Sequence, residues 1–279
     1  MFHRPWLLAL TLCASSLLGC ASWLPAPMPM RALDYALDYP HPASAEPAQC
    51  LLVLLPGMGD DAEDFIEHGF VAEVQRRQLS IDMVAAQATL GYYAKGSFAE
   101  RLYEDVLRPR LHRAYREVWL AGVSMGGMGT LLYARSRPPA EVTGVIAIAP
   151  YLGDEDLIES IDRAGGLARW KAPPRVEPIT KDTWQPELWR YLQAVAQDRE
   201  QGPILHVAYG IEDRLAHADS LLAAALPSSQ VYVSAGEHKW DTWRRLFARF
   251  LDESTLPQRC GKRYVVANDD SSERVDGAS

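Results

Sequence analysis

A mostly parallel α/β sheet, covered by helices on both faces, is the fold class this sequence predicts, and three observations predict it. Short β-rich apolar runs alternate with helical stretches along most of the chain, and strands separated by helices pair in parallel. Several of those runs, such as Cys50 to Leu55, are continuously apolar, the pattern of a strand buried on both sides. The length of 279 residues with 48% apolar content suits one large core. In such sheets the chemistry gathers at the carboxyl ends of the strands.

The first nineteen residues carry a single charge, Arg4, ahead of an apolar run from Trp6 to Leu18 that is too short for a permanent membrane span. Residues 1–19 therefore read as an export signal. They end in Leu17-Leu18-Gly19-Cys20, which resembles a bacterial lipobox, although Leu18 departs from the usual small residue. That resemblance implies cleavage before Cys20 and lipidation of its thiol, against plain secretion or an uncleaved anchor. Ala21, rather than an aspartate after the cysteine, implies an outer-membrane lipoprotein whose folded part faces the periplasm or the cell surface.

Residues 20–49 hold six prolines and suit an extended tether. Leu33, Tyr35, Leu37 and Tyr39 alternate with Asp34, Ala36 and Asp38, which predicts an edge strand within it. The domain proper is expected over residues 50–260. Its strands are predicted at Cys50 to Leu55, Ile81 to Ala86, Val118 to Val123, Val142 to Ala149, Pro203 to Tyr209 and Gln230 to Ser234. Helices are expected from Asp61 with an interruption at Gly69, and from a capping box at Ser97-Phe98-Ala99-Glu100 to about Tyr115, broken at Pro109. Further helices are expected at Met125 to Arg135, His217 to Leu226 and Trp240 to Leu251. Residues 151–202 form a longer connection than a crossover needs, with Thr183 and Pro186 marking a helix start. A small cap over the active site and an ordinary crossover with a decorated loop are both open. The tail, residues 261–279, turns acidic and polar from Asn268.

The chain carries 28 basic and 36 acidic residues, a net charge of −8. Loss of Arg4 with the export signal makes it −9. This acidity argues against nucleic acid and against a basic membrane-binding surface. Cys13 leaves with the signal and Cys20 would be lipidated, so Cys50 and Cys260 remain in the mature domain. In an oxidising compartment they are either a disulfide or two unrelated thiols.

Gly122-Val123-Ser124-Met125-Gly126-Gly127 carries the chemistry. It places a serine between glycines where an apolar strand turns into a helix, the form of a nucleophile elbow. A side chain at Gly122 or Gly126 would collide with neighbouring backbone in so tight a turn. Serine alone is a poor nucleophile near neutral pH and needs a base, held by a third group. Three histidines follow it. His206 lies inside a predicted buried strand, His217 starts a helix, and His238 directly follows the last strand and is the chosen base. Asp213, after the penultimate strand, is the chosen acid, with Glu212 and Asp154 as rivals. Backbone N–H groups must hold the oxyanion, and Met125, at the helix start, and Met58, in Pro56-Gly57-Met58-Gly59, are the candidates.

These residues together resemble the α/β-hydrolase superfamily of serine esterases: an oxyanion loop, a G-x-S-x-G elbow, then acid and histidine in the order Ser, Asp, His. The resemblance spans about Leu51 to Leu251. Relatives often have His-Gly where this chain has Pro56-Gly57. The stretch Gly236-Glu237-His238-Lys239-Trp240-Asp241-Thr242-Trp243 is similar to the histidine region of feruloyl esterases and S-formylglutathione hydrolases. The resemblance implies carboxylic ester hydrolysis of a small-molecule substrate through an acyl-enzyme. It also implies that the last helix returns Cys260 to the sheet end where Cys50 begins, which favours a disulfide.

Without a cysteine–histidine cluster of metal spacing or a G-x-G-x-x-G, this reading requires no metal and no cofactor. Tyr92, Tyr93, Phe98 and Tyr151 follow strand ends, where they either line the mouth or pack loops. An acyltransferase with the same triad, a peptidase and a non-catalytic lipoprotein that binds through its surface are the alternatives.

Overall fold

The computed structural model describes residues 24–35, 48–136, 141–176, 180, 182–197 and 202–262. The export signal, Cys20, the second half of the proposed edge strand and the polar tail beyond Lys262 lie outside them.

Seven strands form one sheet in the order β1-β3-β2-β4-β5-β6-β7. They are β1 (Ala32–Tyr35), β2 (Cys50–Leu55), β3 (Ile81–Ala86), β4 (Glu117–Val123), β5 (Gly144–Ile148), β6 (Ile204–Gly210) and β7 (Val231–Ser234). All pairings are parallel except β1 with β3, where Ala32 sits opposite Ala86. Five of these strands lie within one residue of their sequence-predicted ends, because an uninterrupted apolar run leaves little choice of boundary. The fit is looser at β5, two residues short at its start.

The period of two along β2 divides the interior. Leu51, Val53 and Leu55 join one core, and Cys50, Leu52 and Leu54 the other. On the first side lie the elbow helix Met125–Ser136 and helix Trp184–Ala196, whose Leu188, Trp189 and Leu192 are fully buried. On the second lie Phe70–Arg76 and Trp240–Glu253. Residues 151–197 therefore contribute a helix layer to the sheet. Trp189 Nε1 donates to the Leu152 carbonyl at 2.8 Å, tying that layer to the loop after β5.

Two local expectations are corrected. Ser97 makes no side-chain cap, because its backbone is already helical and its carbonyl accepts from the Arg101 N–H. A capping serine needs extended backbone to fold its hydroxyl over the next turn. The helix it opens runs without a gap to Leu111, passing through a π-helical stretch at Leu102–Leu107 just before Pro109. The tether is also shorter than expected. Residues 24–35 are part of the folded body: the Met30 N–H donates to Asp105 Oδ2 at 2.8 Å, and Met30 is buried.

Cys50 and Cys260 are joined in a disulfide that closes a separation of 210 residues. A loop of that size removes substantial chain entropy from the unfolded state. Reduction, or Cys260→Ser, is expected to cost about 2–4 kcal/mol of stability, read as the shift in urea midpoint. A second expectation concerns His206, buried against Trp119, Tyr232 and Phe250. Burial lowers it from 6.5 to about 4. Below pH 6.5 the unfolded chain therefore takes up a proton that the folded chain refuses. Stability should fall as pH drops from 6.5 to 4, by about 3 kcal/mol from this group at the acid end. Urea titrations across that range should show a flatter dependence in His206→Leu.

Candidate active site

Ser124 sits between the carboxyl end of β4 and the first residue of the elbow helix, with φ at +53°. A positive φ is costly for a residue with a side chain, and it is held here by backbone on every side. The Ser124 N–H donates to the Ile148 carbonyl at 2.9 Å, and its own carbonyl accepts from Met128 and Tyr151. A Cβ on Gly126 would lie 2.0 Å from the Leu55 carbonyl oxygen, and one on Gly122 would lie 2.2 Å from that of Gly126. Strand, helix and neighbouring strand meet here at backbone contact, and only glycine allows it.

The three residues expected to act together are brought together. His238 Nε2 lies 3.0 Å from Ser124 Oγ. Its Nδ1 lies 2.8 and 2.9 Å from the two Asp213 carboxylate oxygens. Since a carboxylate only accepts, Nδ1 carries the proton and Nε2 is left to accept from the serine hydroxyl. Asp213 is buried, held by the Leu215 N–H at 2.8 Å, and His238 packs edge-on against Trp243.

The rivals are placed elsewhere. Glu212 accepts from the Gly236 N–H, and Asp154 is engaged by Tyr151 and Gln185. His217 lies beside Asp162 at 3.4 Å on the surface.

Met125 opens the elbow helix, so its N–H has no carbonyl one turn earlier and the helix dipole points with it. Among the described residues no backbone carbonyl accepts the Met58 N–H either. Gly57 brings Met58's loop against the nucleophile, a Cβ there falling 3.5 Å from the Ser124 Cβ. The first turn of the elbow helix and the loop holding Met58 therefore both lie beside Ser124.

Of the four aromatics that could either line the mouth or pack loops, Tyr92, Tyr93 and Phe98 pack. Tyr92 is buried and donates to the Pro27 carbonyl, while Tyr93 stacks on Phe98 with ring centroids 4.3 Å apart. Helix Leu90–Ala94 turns Tyr92 and Tyr93 inward, and Phe98, from the next helix, stacks on Tyr93 to bury its area. Tyr151, half-buried, remains beside the elbow.

Two acids missed by sequence reading flank the site. Asp60 is raised by burial, with a hydrogen bond from Trp240 opposing that shift, and its carboxylate lies against Gly57. Asp219 is fully buried and raised well above the usual carboxylate range, first by burial and then by the charge of Asp213. Nothing in a lone Asp on a helix signals this environment.

Among the described residues, the one cluster with metal-ligand reach is Cys50, Glu117 and Cys260. Its two thiols are spent in the disulfide. A cavity of about 390 Å³ lined by Arg135, Arg175, Glu187, Arg190, Tyr191 and Ala194 lies eleven residues, about 16 Å, along the elbow helix from Ser124. It takes no part in the site.

Solved structures share this architecture. The chain is similar to an S-formylglutathione hydrolase, FrmB, from Staphylococcus aureus (16% identity, TM-score 0.52, covering 84% of this chain and 99% of that one). It is similar to a ferulic acid esterase (17% identity, TM-score 0.53, covering 78% and 87%). A third is FphF, a fluorophosphonate-binding serine hydrolase from Staphylococcus aureus (14% identity, TM-score 0.51, covering 83% and 98%). At these identities the likeness establishes the fold, which is that of the α/β-hydrolases. No protein-family model matches the chain, and no curated protein matches it.

The glycine contacts yield a contrast. Gly126→Ala should cost about 3 kcal/mol or more, because the new Cβ meets backbone that cannot move aside. Gly59→Ala, at φ +91° with open space around its Cβ, should cost about 1 kcal/mol. Melting temperatures of the two variants compared with the parent check the ranking.

Proposed function

We propose that this protein is a serine hydrolase that cleaves carboxylic esters through an acyl-enzyme. The continuous hydrogen-bond line from Asp213 through His238 to Ser124 carries the reading, at 2.8 and 3.0 Å. His238 Nε2 removes the hydroxyl proton as Ser124 Oγ bonds to the ester carbonyl carbon. Asp213, kept dry, stabilises the imidazolium that results. The Met58 and Met125 N–H groups hold the oxyanion. The tetrahedral intermediate collapses as His238 gives its proton to the departing alcohol, and water activated by the same imidazole then releases the acid.

The fold that this chain shares with a ferulic acid esterase and with FrmB supports an ester or thioester carbonyl as the target. We further infer that Cys20 is lipidated after removal of residues 1–19, making the mature protein an outer-membrane lipoprotein.

A fluorophosphonate probe tests the chemistry. It should label the protein at Ser124, and Ser124→Ala should abolish the labelling; a native chain that takes no label is not a serine hydrolase. Asp213→Asn should lower kcat on a p-nitrophenyl ester by about ten-thousand-fold, because the histidine tautomer is lost. Asp154→Asn should change it less than about tenfold, since its carboxylate serves Tyr151 and Gln185 and not the base. Acylation with an alkynyl fatty acid in cells, lost in Cys20→Ala, tests the anchor.

A further inference from the structure

Residues 24–31 approach the sheet from one particular end. Because β1 runs antiparallel to β3, Ala32 enters opposite Ala86, at the carboxyl end of the parallel strands, which is the end that carries Ser124. The approach is fastened there. The Gln87 N–H donates to the Arg31 carbonyl at 2.8 Å, and Thr89 Oγ1 donates to the Pro25 carbonyl at 2.7 Å. Tyr92 donates to the Pro27 carbonyl. A Cβ on Gly91 would come 2.2 Å from the Pro25 carbonyl oxygen, so this chain lies directly on helix Leu90–Ala94.

Leu24, where the fastened segment begins, is four residues after Cys20. Four residues span at most about 14 Å, less than the roughly 18 Å radius of gyration of a domain this size. An anchor at Cys20 cannot present the opposite end of the sheet to its membrane.

The distribution of exposed apolar side chains points the same way. Six large ones stand exposed among the described residues. Met28, Met58, Leu90 and Ile211, exposed by 38% to 76%, all lie on segments at the carboxyl end of the sheet. Apolar residues gathered at one end mark an interaction surface more than scattered ones do. The net charge of −8 disfavours an anionic surface, so the matching lipid is zwitterionic.

We propose that the carboxyl end of the sheet, with the Ser124 site at its centre, faces a lipid bilayer, so that the enzyme draws esters of membrane-dissolved amphiphiles from that surface. The proposal rests on the lipid anchor and esterase readings above, and its test separates all three. A chain beginning at residue 20, with Cys20→Ser and an N-terminal hexahistidine, is captured on phosphatidylcholine vesicles doped with nickel-chelating lipid. This replaces the native anchor and makes the result independent of acylation.

A single-cysteine fluorophore at Met28→Cys should lose more than half its emission to doxyl-labelled lipid. The same fluorophore at His112→Cys, on the loop entering β4 at the far end, should keep it. Equal quenching at the two positions would overturn the proposal whether or not the protein is catalytic. With the native residues at 28 and 112, the N-tethered chain should hydrolyse vesicle-dissolved p-nitrophenyl palmitate about tenfold faster than a chain tethered at its C-terminus. Both should cleave soluble p-nitrophenyl acetate equally, and failure on that soluble ester would count against the esterase reading alone. Equal rates on the vesicle ester also contradict the proposal.

Discussion

Backbone contact between the elbow helix and β2 is the constraint on which the site depends. Gly126 lies so close to the carbonyls of Leu55 and Pro56 that no side chain fits between them. This contact fixes the helix start over the end of β2, opposite Gly122 in the β2–β4 pairing. It also draws the loop beginning at Pro56 against Ser124. Met58 and Met125 lie on different elements, yet this one contact brings both beside Ser124. Ser124's positive φ follows from the same crowding: the strand ends where it must, the helix begins where it must, and the residue between absorbs the difference. The strain falls at the residue whose hydroxyl meets His238, and surrounding packing holds it.

A second glycine contact does the same for the acid and base. A Cβ on Gly210 would meet the Gly236 carbonyl oxygen at 2.0 Å, so the loops after β6 and β7 also touch backbone to backbone. Glu212 reinforces that junction by accepting the Gly236 N–H. Its carboxylate is thereby engaged in joining the loops, which leaves the next residue, Asp213, to orient His238. The choice between two adjacent acids is thus settled by which one the junction requires. Asp219 lies fully buried near this pair, and burial and the charge of Asp213 both raise its pKa.

How much of this was legible in sequence depends on the range of the interaction. Strands were legible because burial on both faces writes itself into a continuous apolar run, as in Cys50 to Leu55. The elbow was legible because its steric demand falls on glycines two residues either side of one serine. Chain order then selected Asp213 and His238 as partners. What failed was local chemistry decided by distant backbone. Ser97 has the right residues for a capping box, but its backbone is already helical. Position after a strand's carboxyl end left Tyr92, Tyr93 and Phe98 open between mouth and packing, and two short helices turn their rings inward. Asp60 and Asp219 owe their perturbation to burial by residues far away in sequence. Residues 24–31 looked like free tether because proline-rich composition does not reveal that Thr89, Tyr92 and Asp105 hold them.

The direction of one edge strand has the widest consequence. Had β1 joined the sheet in parallel, the chain would enter at the amino end, near Cys50, and an anchor before it would turn the active site outward. Antiparallel pairing brings the chain in at the opposite end with no change in Ser124, His238 or Asp213. The other end of the chain leaves on the opposite side: Leu79 bridges Lys262 and the Ser80 N–H donates to the Gly261 carbonyl, beside the start of β3. The two ends of the folded body therefore mark the two ends of the sheet, and the disulfide at Cys260 secures the one remote from Ser124. An anchor just before Leu24 would act at the reactive end, where Tyr92 and Thr89 fasten the chain. The same hydrogen bonds that complete the fold at β1 would thus transmit the orientation of an anchor at Cys20 to Ser124.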